Sequence, residues 1–115
     1  FPTRRSSDLR RARRRWALSQ PELAHLLNCS PSLLSRLERG ECTPDVLMAF
    51  RLQAVFGLAP RALFPGLYRS VEDAVMARAA DLDRRLGPRQ DYGAQTKRRL
   101  LTAMTHRASG DLPRA

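Results

Sequence analysis

At 115 residues and a formal net charge of +10, the chain has room for one small domain with an extension, and the charge points to a polyanionic partner. All but one of its 21 basic residues are arginine, Lys97 being the exception. Two cysteines, Cys29 and Cys42, without paired spacing exclude a disulfide framework and a zinc site. No apolar run nears the ~20 residues of a membrane span and no leader pattern appears, so a cytoplasmic chain with reduced thiols and no membrane contact is expected.

Residues 1–8, FPTRRSSD, are what the sequencing-adapter oligonucleotide TTC CCT ACA CGA CGC TCT TCC GAT encodes, and they are set apart from the fold on that ground. The competing reading is a basic arm for the minor groove. Residues 9–16 then form a short helix with Leu9, Ala12 and Trp16 at helical spacing and Arg10, Arg11, Arg14 and Arg15 around them. Trp16 is expected as a partly buried cap on that helix.

The next stretch, LSQPELAHLLNCSPSLLSRLERG over residues 18–40, reads as two short amphipathic helices joined by a tight turn. Ser19 and Glu22 make a Ser-x-x-Glu capping box, and Pro21 suits an early helix position. Asn28 tolerates the positive φ that closes a helix, Ser30 caps the second helix ahead of Pro31, and Gly40 ends it. Leu23, Leu26, Leu34, Leu37 and, further on, Phe50 are expected as core.

A loop at 41–44 leads to a helix over 45–56, with Val46, Ala49, Phe50, Leu52 and Phe56 at helical spacing, and to a short turn over 60–64. Pro65-Gly66 predicts a break between domains. Beyond it, Ser70 caps a helix reaching Leu86 whose stripe is Val71, Val75, Ala79, Leu82 and Leu86, and a last helix over 94–108 gathers Leu100, Leu101 and Met104. The domains are therefore 9–66 and a C-terminal helical extension over 67–115. Charge is uneven between them. Residues 16–66 are neutral, and the excess flanks them, in the arginines of 9–15 and in 67–115.

Residues 9–64 resemble the Cro/phage-repressor (Xre-type) helix-turn-helix family. The resemblance rests on Leu9, Ala12 and Arg13, on Leu18-Ser19-Gln20 and Leu23-Ala24, and on Ser30, Ser35, Leu37-Glu38 and Gly40. Pro44, Phe56-Gly57-Leu58 and Leu63-Phe64 complete it. Ala17 and Asn28 stand where the family has glycines, and Cys29 stands for its buried valine. The resemblance implies an all-α chain: a five-helix repressor-like DNA-binding domain, here followed by the helical extension.

It also implies a site. Ser32, Ser35 and Arg36 would read bases in the major groove, Arg36 with the fork that matches guanine O6 and N7. Pro31 stands where relatives carry a long polar reader and has nothing to donate. Gln20 and Ser30 would hold the DNA backbone, aided by Arg10 and Arg14 of the basic first helix. Arg13 and Glu38 match a family ion pair.

The expected function is sequence-specific regulation of transcription, by a homodimer on double-stranded DNA carrying an inverted repeat. The alternative is an antitoxin-like or protein-interaction module that uses the arginines of 67–115 against an acidic protein. No nucleophile elbow, paired carboxylates or phosphate-cradling loop suggests an enzyme, and no cofactor is called for.

Overall fold

The computed structural model describes residues 7–110, which are helical and contain no strand. The reading of residues 1–8 as adapter-encoded falls mainly on 1–6, outside the described residues. Seven helices follow in order: α1 Leu9–Arg15, α2 Gln20–Leu27, α3 Pro31–Glu38, α4 Val46–Phe56, α5 Pro60–Leu63, α6 Pro65–Leu86 and α7 Tyr92–Ser109. They divide into two units, with the boundary inside α6 between Arg69 and Ser70.

The first unit closes around leucine. Leu9, Leu23, Leu27, Leu34, Leu37, Leu52 and Leu63 are essentially inaccessible, joined by Ala24, Met48 and Phe64. Each such leucine contributes about 1.5–3 kcal/mol relative to an exposed one, so this cluster holds the five helices together. Its two ends are also tied: the Asp8 N–H donates to the Leu63 carbonyl at 2.6 Å.

Two expected core residues lie outside it, and Trp16, expected as a partly buried cap, caps α1 but is largely exposed. Leu26 is 53 % exposed, because the buried stripe of α2 is Leu23, Ala24 and Leu27 and Leu26 falls beyond its edge. Phe50 is 63 % exposed, because α4 turns Met48 and Leu52 inward and puts Phe50, with Val46, on the opposite face. Trp16 is 64 % exposed: it stands past the end of α1 as its C-cap, and the chain reverses at Ala17 (φ 58°) before the indole can fold back.

Pro65-Gly66 opens a helix, and the boundary between units falls a few residues beyond it. Proline in a first turn gives up only an amide that would be unpaired, so α6 starts at Pro65, ahead of the expected cap Ser70.

The second unit pairs the rest of α6 with α7 through Ala79, Leu86, Ala94 and Leu101, with Met104 half-buried beside them. Asp91 caps α7 by accepting from the Ala94 N–H at 3.2 Å, which moves its start ahead of the expected Ala94. Arg98 donates to the carbonyls of Gly87 and Arg89 and so braces the connecting turn. This core is narrower than the spacing predicts, since Val71, Val75 and Leu82 of α6 and Leu100 of α7 are exposed.

Candidate nucleic-acid interface

α2, its turn and α3 are each secured by a local device. The Ser19 hydroxyl accepts from the Glu22 N–H at 3.1 Å, and the Glu22 carboxylate accepts from the Ser19 N–H at 2.8 Å. Hydrogen bonds to that carboxylate, first from the Ser19 backbone and then from its side chain, hold the Glu22 carboxyl below its ordinary range. Asn28 closes α2 in the left-handed region (φ 53°, ψ 50°), and the Cys29 N–H returns to the Ala24 carbonyl at 3.0 Å. The Ser30 hydroxyl then accepts from the Leu33 N–H at 3.0 Å, starting α3 with Pro31 in its first turn.

α3 has two unlike faces. Leu34, Leu37 and Glu38 are buried beneath it, Leu33 is half-buried, and Pro31, Ser32, Arg36 and Arg39 are exposed. Ser32, Arg36 and Arg39 fall at i, i+4 and i+7, one row along the outer surface. The Arg36 guanidinium makes no side-chain hydrogen bond among the described residues. Ser35 lies half-buried at the side of that row, where its hydroxyl oxygen accepts from Arg39 Nη1.

Glu38 is the polar centre of the unit. Arg13 of α1 donates to it twice, from Nε at 2.6 Å and Nη2 at 3.2 Å, and sends Nη1 to the Leu18 carbonyl at 2.9 Å. Gln20 of α2 adds Nε2 at 3.0 Å, and the half-exposed Arg10 brings Nε to 3.5 Å. Burial pushes the Glu38 carboxyl upward, but the bonds from Arg13, Gln20 and Arg10 and the charge of Arg13 outweigh it, leaving the pKa lowered. Among the described residues no buried side-chain nitrogen or oxygen lacks a partner.

The structure thus gathers Arg10, Arg13, Gln20 and Glu38 at one end of α3, with the Ser30 cap at the other. Arg14 is exposed on α1, one turn on from Arg10. The Gln20 amide nitrogen already donates one N–H to Glu38, so only its second N–H remains to donate to a phosphate.

Two further arginines belong to this surface and its frame. Arg39 is one; its spacing from Ser32 and Arg36 was a usable signal in the sequence. Arg51 of α4 is the other, donating Nη1 to the Leu27 carbonyl at 3.1 Å and so satisfying the open end of α2. Nothing in the local sequence links residues so far apart.

A family model described as a helix-turn-helix domain matches residues 7–64, half of the chain. No curated protein and no solved structure matches it. With the capped α2, the left-handed turn and an outward-facing α3 inside the matched residues, the chain belongs to the helix-turn-helix family of DNA-binding domains.

Proposed function

We propose that the chain is a cytoplasmic, sequence-specific transcriptional regulator of bacterial or phage type, of the Xre kind. It binds an inverted-repeat operator as a homodimer, with α3 of each copy in the major groove about one helical turn from the other. The observation that carries this reading is the exposed row of Ser32 and Arg36 on a short helix whose opposite face is locked to α1 and α2 through Glu38. A rigidly seated helix delivers its outer side chains to base edges at fixed positions.

In that pose Arg36 reads guanine through two parallel bonds, and Ser32 and Ser35 add short hydroxyl contacts. Gln20, Ser30, Arg10 and Arg14 hold the phosphates and set the register. The test is selection of binding sites from random duplexes, followed by fluorescence anisotropy on the selected site. Tight binding that weakens as salt rises, with a loss of about 1–3 kcal/mol on Arg36→Ala, supports the assignment. A chain that selects nothing, or an Arg36→Ala variant that binds its site unchanged, overturns it.

One observation favours a second reading. α6 and α7 expose Val71, Val75, Leu82 and Leu100, more apolar surface than a two-helix unit needs to show. An antitoxin-like chain would cover that surface with a protein partner, and a stoichiometric complex that forms without DNA would favour it.

A further inference from the structure

Arg39 extends the outer row of α3, yet it arrives with its charge already engaged. Its Nε and Nη2 donate to the two carboxylate oxygens of Glu41 at 2.6 and 3.0 Å, and its Nη1 donates to Ser35 Oγ. Glu41 reaches back because Gly40 takes φ 73°, after which the Glu41 N–H donates to the Arg36 carbonyl at 2.9 Å. Both partners of the pair are about half exposed, at 46 % and 49 %. The bond from Arg39, joined by the nearby charge of Arg36, holds the Glu41 carboxyl below its ordinary range. A carboxylate therefore occupies the C-terminal end of the surface that α3 offers to DNA.

We infer that Glu41 acts as a built-in substitute for phosphate, keeping Arg39 off the duplex backbone so that Arg36 is the one arginine of the row presented unpaired. The inference rests on the DNA-binding reading above. Carboxylate and phosphate engage a guanidinium through the same two-pronged geometry, so a phosphate gains little by displacing Glu41. Non-specific complexes live on phosphate neutralisation and lose a contact by this arrangement. A complex on the correct site keeps its base contacts through Arg36. Glu41 is in this sense a specificity-determining residue, which weakens the competitor more than the target.

The experiment compares the full chain with Glu41→Gln and Glu41→Gln/Arg39→Ala by anisotropy, on a random-sequence duplex and on the selected site, across about 50 to 200 mM salt. An exposed pair contributes little to stability, so all three proteins should fold, and thermal melting checks that. The expected result is several-fold tighter binding of Glu41→Gln to the random duplex, with a smaller gain on the selected site. The slope of log affinity against log salt should steepen by about 0.9, one additional phosphate. Adding Arg39→Ala should abolish both changes. An unchanged slope in Glu41→Gln overturns the inference, and so does a gain that survives Arg39→Ala, which would mean that only a repelling charge had been removed. Failure of the unaltered chain to bind any duplex is a separate outcome, because it overturns the DNA-binding reading itself.

Discussion

Arg13 sets two nitrogens on the carboxylate of Glu38, at 2.6 and 3.2 Å, across 25 residues of sequence and between two helices that are otherwise joined by leucine. Both side chains are nearly sealed, so each charge depends on the other. Pairs of this kind add little net stability over an apolar replacement, but they are costly to break from one side.

Glu38→Ala should therefore destabilise the chain by about 3–5 kcal/mol, because it leaves a buried guanidinium uncompensated. Arg13→Met/Glu38→Leu, which removes both charges, should recover most of that loss. Urea unfolding of the three proteins measures it, and a double variant no better than Glu38→Ala would refute the account.

Acid should act through the same carboxyl. The folded state holds the Glu38 pKa below its unfolded value, so its contribution is complete above the ordinary carboxylate range and disappears as pH falls through the lowered folded pKa. Stability should decline on acidification below about pH 4.5, and Glu38→Gln should show a shallower decline over that window. Thermal melts between neutral and acid pH give the comparison.

Ala17 occupies the left-handed region at φ 58°, a conformation in which its methyl group meets the backbone. Glycine there removes the clash and costs some entropy in the unfolded chain, for a net gain of about 0.5–1 kcal/mol. Ala17→Gly should raise the melting temperature by a few degrees. Asn28, at φ 53°, should tolerate glycine with little change and valine poorly, by the same argument applied to a β-branched side chain.

The two serine caps separate fold from function. Ser19→Ala and Ser30→Ala each remove one bond to an otherwise unpaired amide, and each should cost about 1 kcal/mol of stability. Only Ser30→Ala should also weaken DNA binding at a temperature where both variants are fully folded. Equal effects on DNA would remove Ser30 from the backbone contacts.

The sequence carried the local devices well because each depends on residues no more than a turn apart. The capping box at Ser19, the cap at Ser30 and the left-handed closure at Asn28 are of this kind. Periodicity located the buried stripes but not their widths, and so it placed Leu26 and Phe50 inside. Which edge of a stripe stays wet is decided by the neighbouring helix, which single-helix spacing does not contain. Trp16 caps α1 as expected but is more exposed, because a residue one step beyond a helix end follows the turn rather than the helix. Pro65-Gly66 carried two opposite meanings, a break or a start, and the leucine that packs two residues later, Leu67, favours the start. The Arg39–Glu41 fork was illegible because it depends on the backbone reversal at Gly40, and the Arg51 bond to Leu27 because it spans two helices.

The hydrogen bond from the Asp8 amide to the Leu63 carbonyl brings the start of α1 and the end of α5 to one place. The tie is made by backbone atoms on both sides, so it does not depend on which side chain stands at position 8. A unit with adjoining ends is a closed circuit with a removable joint. Linking residue 7 to residue 69, so that Leu67 is kept on the core, and opening the chain instead between 41 and 45 should reorder the helices without parting Arg13 from Glu38 or Ser30 from α3.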